Sequence, residues 1–401
     1  VAQAGRAAGL QVTMCGPIPT PALAQAAMAA GAAAVMITGS HIPADRNGLK
    51  FYTPEGEITK AHEAAILSAL GADVVDLEGP GAQENATATE AYIARYVDAY
   101  GPALADQKIG LYAHSAVGRD LMKTLLNALG AEVIVLGWSD SFVPVDTEAV
   151  SAELRDQLRA WAKMHGCDAI VSTDGDGDRP LVADAAGEVV VGDVLGQIAA
   201  LGATCVVTPV SSNTGVHIGG RFKQVIRTKI GSPYVIAAMA SAKGQVVGYE
   251  ANGGFLLGFG AKGPAGPIAP LMTRDAVLPM IAALHAGVQN GLAARVALEP
   301  ARFTAADRLQ EVPTERMRSF VAGISGDAET RAAFLAKLDG TQAAFDQTDG
   351  PRMTLTDGRI VHLRPSGNAP ELRLYVEADA QDRANETLRR GLAVMADALR
   401  A

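Results

Sequence analysis

Short apolar runs alternate with longer segments whose apolar positions recur every three or four residues through the first three quarters of the chain. "QVTMCG" (11–16) reads as a short strand, after which Thr20 and Pro21 fit the N-cap and first position of a helix that Gly31 ends. "AAVMIT" (33–38) is the next strand, and the apolar run Ala32 to Ile37 predicts that it is buried. A polar loop from Gly39 to about Tyr52 follows, then a helix from about Lys60 to Leu70. Beyond a helix near Thr89–Tyr100, "KIGLYAH" (108–114) and "AEVIVLG" (131–137) bracket another helical segment. Leu154, Leu158 and Trp161 mark one face of a helix that runs into the strand "CDAIVST" (167–173). "TCVVTPV" (204–210) and "QVVGYE" (245–250) flank a helix that Ser232 and Pro233 would cap and start. Alternation of this kind, with near-continuous apolar strands, predicts parallel sheets covered by helices on both faces.

Near residue 300 the pattern changes. "RMTLTD" (352–357) and "RIVHLRP" (359–365) are strands joined by a tight Asp357-Gly358 turn, a hairpin signal. "ELRLYVEA" (371–378) is a third strand, and Leu388, Leu392, Met395 and Leu399 stripe a closing helix. This part is an α+β module with an antiparallel sheet. The expected domains are 1–103, 104–202, 203–298 and 299–401, the first three of similar size.

With 401 residues, a prior of roughly 150 residues per domain gives two to four domains, and 49% apolar residues are enough for sizeable cores. A formal net charge of −9 argues against nucleic acid or an anionic membrane as the main partner, because both want a basic surface. Cys15, Cys167 and Cys205 are odd in number, far apart and in no CxxC pair, which favours a reducing cytoplasm over a disulfide framework. No apolar stretch reaches the roughly 20 residues of a membrane span. The chain opens on Val1 in mid-pattern, so a preceding segment is expected.

"STDGDGDRP" (172–180) is the sharpest chemical signal: Asp174, Asp176 and Asp178 alternate with glycines directly after a strand. Three carboxylates spaced by two converge on one hard cation, whereas without a cation they repel. An EF-hand fails here, since its sixth position needs Gly and holds Arg179, and its twelfth needs Glu and holds Ala185. Three acidic ligands leave Mg²⁺ with open positions for water or a phosphate oxygen. "RPSGNAPELRLY" (364–375) offers Arg364, Ser366, Gly367 and Asn368 in a loop whose amides can approach a phosphate, with Arg373 as a further clamp. Alone, it is equally a Ser-Gly turn with solvated arginines. "GYEANGG" (248–254) presents Glu250 and Asn252 in glycine-rich backbone, suited to vicinal sugar hydroxyls or to an ordinary turn. In the loop after the second strand, Ser40 is a candidate nucleophile or phosphate carrier and Lys50 a proton donor and acceptor. His41 would be a hydrolase base, but the G-x-S-x-G elbow is absent.

In this order, the four segments resemble the α-D-phosphohexomutase superfamily, and most closely its bacterial phosphomannomutase/phosphoglucomutase branch. The family's T-A-S-H-N-P and N-G-x-K loop is similar to Thr38–Pro43 and Asn47–Lys50, and its D-G-D-x-D-R loop to Asp174–Arg179. Its G-E-x-S/N loop resembles Glu250–Gly253, and its R-x-S-G-T-E-P loop resembles Arg364–Pro370. Ile42 replaces the usual Asn, Asn368-Ala369 replaces Thr-Glu, and the family's earlier G-x-R-G and G-R-D-x-R segments do not occur. The resemblance implies three similar α/β domains with mixed, mostly parallel sheets and a C-terminal α+β domain like the TATA-binding protein, around a central cleft. It implies reversible phosphoryl transfer between the 1- and 6-positions of a hexose phosphate, mannose first, through a hexose 1,6-bisphosphate that also serves as activator. In that scheme Ser40 carries the phosphoryl group and ligates Mg²⁺ with Asp174, Asp176 and Asp178. Lys50 moves the proton, its pKa lowered by neighbouring cations, and Arg179 and His41 assist. Glu250, Asn252 and Gly253 bind the sugar; Arg364, Ser366, Gly367, Asn368 and Arg373 hold the other phosphate. The expected partner is a small-molecule sugar phosphate, bound by a monomer or homodimer. Glucose or glucosamine phosphate are alternative substrates. A metal-dependent sugar phosphatase and a non-catalytic sugar-phosphate-binding protein are the rival readings.

Overall fold

The computed structural model describes residues 1–40, 47–72, 79–200, 202–366 and 370–400. The chain divides into two compact units, the first formed by Val1–Val207 and Ser232–Leu298, the second by Thr208–Gly231 and Glu299–Ala401.

Two sheets organise most of the first unit. In one, the strands Lys108–Tyr112, Glu132–Leu136 and Ala169–Thr173 run parallel, and Pro180–Asp184 and Val189–Val190 continue the sheet antiparallel at one edge. The direction changes because Thr173 and Pro180 are joined by a hairpin loop too short for a helical crossover. The sheet is therefore mixed and mostly parallel at its centre, as the resemblance implies. Ser151 caps the helix Ala152–His165 by accepting from Leu154 N, and Gly166 ends it at φ 61°. Leu158 and Ala162 of that helix pack with Tyr112, Leu136, Ile170 and Leu181 of the sheet. In the other sheet, Cys205–Pro209 and Val246–Tyr249 are parallel, followed antiparallel by Phe255–Leu257 and Leu271–Asp275.

The N-terminal part departs from expectation in two ways. The helix Thr20–Ala29 takes Pro19 as its N-cap, one residue earlier than Thr20. The strand Ala34–Thr38 is not buried: it pairs antiparallel with Gly48–Thr53, and the facing residues Ile37 and Leu49 are 52% and 50% exposed. Gly48–Thr53 itself lies where a loop was expected; its "KFYT" segment has the aromatic and β-branched character that fits a pleated surface.

The second unit holds an entirely antiparallel sheet in the order Phe303–Leu309, Leu372–Ala378, Ile360–Pro365, Arg352–Leu355, Gln342–Asp346. The Asp357-Gly358 hairpin forms, with Gly358 at φ 81°. The edge strands Phe303–Leu309 and Gln342–Asp346 and the helices Thr314–Gly326 and Ala328–Ala336 add to the elements read from the pattern. Met395 and Leu399 of the helix Gln381–Arg400 are buried against the sheet, with Leu388 and Leu392 partly so. Among the described residues no helix is long and apolar enough to cross a membrane.

Candidate active site

The fully buried strand Ala169–Thr173 delivers the chain into Asp174–Arg179. Asp174 N donates to Arg179 O at 3.1 Å, Thr20 N to Asp176 O at 2.8 Å and Val117 N to Gly175 O at 3.0 Å, so the loop is held on three sides. One oxygen of each of Asp174, Asp176 and Asp178 lies within 4.8 Å of the others, and all three residues are buried.

The remaining carboxylate oxygens are assigned in a consistent way. Asp174 Oδ2 accepts from Ser40 Oγ at 2.7 Å, and its Oδ1 from Arg179 N at 3.2 Å. Asp176 Oδ2 accepts from Thr20 Oγ1 at 2.7 Å and from Lys50 Nζ at 2.6 Å. Asp178 Oδ2 takes Lys50 Nζ at 2.7 Å and Arg274 Nη2 at 2.9 Å. That leaves Asp176 Oδ1 and Asp178 Oδ1 buried without a hydrogen-bond partner. Two orphaned oxygens beside a third carboxylate, each turned by a partner on its other oxygen, fit a hard divalent cation with oxygen ligands.

Crowding sets the electrostatics. Burial, then the charges of Asp178 and Asp176, push Asp174 up to about 8. Burial also acts upward on Asp178, but Arg274, Lys50 and Arg179 outweigh it and hold that carboxyl well below the usual range. Lys50 moves up, against expectation: burial and Arg274 work to lower it, while Asp178 and Asp176 prevail. The expected depression by cations meets a stronger pair of anions at hydrogen-bond distance.

Ser40 sits at φ 51°, a left-handed conformation uncommon for serine, with its N–H donating to Thr38 Oγ1 at 2.8 Å. Its carbonyl oxygen lies against Gly175, where any side chain would collide with it. Lys50 reaches the loop from Gly48–Thr53, in register with Met36 of the neighbouring strand.

Glu250 follows the strand Val246–Tyr249 and is buried. A turn closed by Gly253 N donating to Glu250 O at 2.9 Å, with Gly253 at φ 87°, puts Asn252 beside it. Asn252 Oδ1 accepts from Gly254 N at 3.0 Å, and Thr147 Oγ1 donates to Asn252 O at 3.1 Å. Burial raises the Glu250 carboxyl against the pull of Arg274 and Arg179. Ser40, Lys50, Arg179, the three aspartates and Glu250 are thus gathered in the first unit.

In the second unit, Arg364 and Arg373 are directly opposed on adjacent strands, and Arg373 is also opposed to Arg308. Like charges in cross-strand register repel, so this arginine row suits an anion. Arg364 Nε meets Asp349 Oδ2 at 2.8 Å, Arg373 meets Glu371 at 3.4 Å, and Ser366 N donates to Glu371 O at 2.9 Å. His41, Gly367 and Asn368 lie outside the described residues.

Thr20, Glu57, Arg274 and Arg308 were not singled out by the sequence. The pattern reads Thr20 as a helix cap, and Arg274 falls at a half-buried position of the alternation Leu271–Asp275, which gives an arginine no special mark. Glu57 accepts from Ser232 Oγ at 2.7 Å, Thr273 Oγ1 at 3.0 Å and Arg274 N at 3.0 Å.

Comparison with known proteins brings these observations together. Models of the phosphoglucomutase/phosphomannomutase family match in chain order: domain I at residues 1–73, domain II at 91–187, domain III at 187–301 and the C-terminal domain at 326–393. The phosphomannomutase of Sinorhizobium fredii is 46% identical over 97% of this chain and 85% of its own length. That of Salmonella muenchen is 45% identical over 94% and 80%. A phosphoglucosamine mutase of Xylella fastidiosa is 31% identical over 98% and 85%. Among solved structures, a phosphoglucomutase/phosphomannomutase family protein from Burkholderia thailandensis shares the fold at TM-score 0.74 and 20% identity, covering 98% of this chain and 84% of that one. The N-acetylphosphoglucosamine mutase of Aspergillus fumigatus, solved with GlcNAc-6P and magnesium, has TM-score 0.61 at 16% identity, over 94% and 91%. Matched domain by domain and along nearly its whole length, the chain belongs to the phosphoglucomutase/phosphomannomutase family and is an isomerase of the phosphohexomutase type.

Proposed function

We propose that this chain interconverts mannose 1-phosphate and mannose 6-phosphate, with Ser40 as phosphoryl carrier and a hexose 1,6-bisphosphate as the intermediate and activator. The observation that carries the reading is the 2.7 Å hydrogen bond from Ser40 Oγ to Asp174, inside a buried carboxylate triad whose orphaned oxygens suit a cation. Mannose is supported by the names of the relatives at 46% and 45% identity, against 31% for the phosphoglucosamine mutase.

Asp174, Asp176, Asp178 and the phosphorylated Ser40 would hold Mg²⁺, which supplies charge neutralisation for the phosphoryl group when bound. The chain's own part is positioning and charge. In the first half-reaction the Ser40 Oγ–P bond breaks and a sugar oxygen–P bond forms, the attacking sugar hydroxyl's proton passing to Lys50 and on to the departing Ser40 Oγ. In the second half the Ser40 hydroxyl gives its proton to Lys50 as it takes the other phosphoryl group, and Lys50 passes it to the departing sugar oxygen. Lys50 is the one amine in reach of the loop at hydrogen-bond distance among the described residues, and burial and Arg274 are the influences that favour its neutral form. Arg179, 3.9 Å from Asp174 and 3.7 Å from Asp178, would face the transferring group. Glu250 and Asn252 would bind the O3 and O4 hydroxyls, with Gly253 shaping their turn. His41 is assigned a contact to the Ser40 phosphate. Arg364, Ser366, Gly367, Asn368 and Arg373 are the proposed holders of the non-reacting phosphate. The free Cys15, Cys167 and Cys205 support a reducing cytoplasm as the compartment.

The test supplies mannose 1-phosphate, Mg²⁺ and a trace of hexose 1,6-bisphosphate. The expected product is mannose 6-phosphate, with intact mass showing one phosphoryl group that Ser40→Ala removes. Inorganic phosphate in place of the 6-phosphate would instead indicate a phosphatase, and binding without turnover a sugar-phosphate-binding protein.

A further inference from the structure

We infer that Arg274 is a positioning residue that ties the cation-binding carboxylates to the sugar-binding loop, so that neither is set independently of the other. The inference rests on the phosphohexomutase reading of the site.

Arg274 is the penultimate residue of the strand Leu271–Asp275, and its side chain is 11% exposed. Each part of the guanidinium faces a different acid. Nη2 is 2.9 Å from Asp178 Oδ2, Nη1 is 3.6 Å from Glu250 Oε2, and Nε is 3.6 Å from Glu57 Oε1. These carboxylates belong to three separate stretches of chain: the acidic loop, the glycine-rich turn after Val246–Tyr249, and the short strand Gly56–Glu57. The contact to Asp178 is at hydrogen-bond distance and the two at 3.6 Å are ion pairs; because the guanidinium is planar and its charge is spread over three nitrogens, one rigid group faces all three acids at once, which a lysine ammonium cannot do.

Two further features make the arrangement a built one. Glu57 is anchored by Ser232, Thr273 and the Arg274 backbone, so the guanidinium is braced from behind. Gly254 leaves room for the arginine stem, since a Cβ there would come within 3.1 Å of its Cγ and Cδ. The consequence for chemistry is specific. Arg274 Nη2 and Lys50 Nζ share Asp178 Oδ2, which leaves Oδ1 without a hydrogen-bond partner, and Arg274 Nη1 forms an ion pair with Glu250 Oε2 at 3.6 Å, so one guanidinium biases both carboxylates. Arg274 itself touches neither ligand in this scheme. Partners that orient a metal ligand typically contribute about 10- to 100-fold to metal affinity.

The experiment uses Arg274→Lys, which keeps the charge and loses the fork, and Glu57→Gln, which keeps Arg274 and loosens its brace. Mn²⁺ binding to the full chain is read by electron paramagnetic resonance. Mannose 1-phosphate binding is read by calorimetry in EDTA, where no turnover occurs. For R274K we expect Mn²⁺ affinity and mannose 1-phosphate affinity each to fall about tenfold at a thermal midpoint near that of the wild type. E57Q should shift both in the same direction by less, and it carries the test if R274K does not fold. Both affinities within threefold of wild type in a folded variant would overturn the inference, as would a change in one without the other. Failure of the underlying reading is seen separately, as wild-type protein that forms no 6-phosphate; a paired loss of both affinities in R274K would uphold the positioning role even then.

Discussion

Adding a single methyl group at Gly175 tests the contact on which the phosphoserine reading depends. Gly175 lies between two of the aspartates with its backbone outside the left-handed region, so alanine is allowed by the main chain and the whole cost is steric. The new Cβ would lie closer to the Ser40 carbonyl oxygen than the 3.0 Å that real Cβ atoms keep, with Phe142 Cε2 at 3.5 Å on the other side. The acceptor is backbone, so relief requires moving Ser40 or the acidic loop, by on the order of 1 Å to restore ordinary contact. The hydrogen bond from Ser40 Oγ to Asp174 is 2.7 Å, and such a shift takes it beyond bonding distance. A displacement of about 1 Å in a reacting group costs about 10²-fold in rate, equivalent to about 2.7 kcal/mol. Stability should fall by at most about 2.6 kcal/mol, because overpacking of about 1–3 kcal/mol is partly offset by the 0.4–1 kcal/mol or so that alanine gains by restricting the unfolded chain. The assay follows conversion of mannose 1-phosphate to mannose 6-phosphate by a coupled dehydrogenase, alongside a thermal melt and intact-mass measurement of Ser40 phosphorylation. The expectation is kcat down about 100-fold with the fold retained. A G175A enzyme with kcat within threefold of wild type would mean that the close approach of Ser40 to the acidic loop has no part in the reaction.

Two other expectations concern stability. His362 is buried with Nε2 against Asp349 O at 2.8 Å, and burial, aided by Arg352 and Arg364, brings its pKa down to about 4 from an ordinary 6.5. Protonation therefore favours the unfolded chain: the stability His362 contributes is complete above pH 6.5 and is lost as pH falls through about 4, on the order of 3 kcal/mol in all. Denaturant titrations between pH 7 and 4.5 should show this decline and H362Q should flatten it; equal slopes in the two proteins would contradict the assignment. Asp275 is held by Tyr92 Oη at 2.6 Å and by Tyr96, both from the helix Ala88–Tyr100. Tyr92→Phe should cost about 1.5–3 kcal/mol in urea unfolding while kcat stays within twofold, since the tyrosine touches no group assigned to the reaction.

What could be read from the sequence, and what could not, divides along a physical line. The acidic loop was legible because its ligand chemistry is compressed into Asp174–Asp178, where local spacing alone forces the carboxylates together. The sheets around it were legible because buried strands such as Ala169–Thr173 and Cys205–Pro209 must be continuously apolar. Gly48–Thr53 and Phe303–Leu309 escaped because neither alternates cleanly between buried and exposed positions: only Tyr52 is buried in the first and no residue is in the second, so they carry no periodic signal of burial. The groups that turn the carboxylates escaped for a different reason: Thr20 is 156 positions from Asp176, and Glu57 is 217 from the Arg274 amide that it receives. Nothing in the neighbourhood of a threonine at a helix start distinguishes one that also fixes a buried aspartate. The same separation explains why Lys50 was expected to be depressed and is raised. Arg274 acts in the expected direction, but two aspartates more than a hundred residues away meet the amine at 2.6 and 2.7 Å and prevail, and no local pattern announces that meeting. On the proposed function, motif residues supply the reacting groups, whereas their orientation and charge balance come from residues that only the folded chain brings near. A substitution at Thr20, Glu57 or Arg274 should accordingly alter the chemistry of a motif it leaves unchanged.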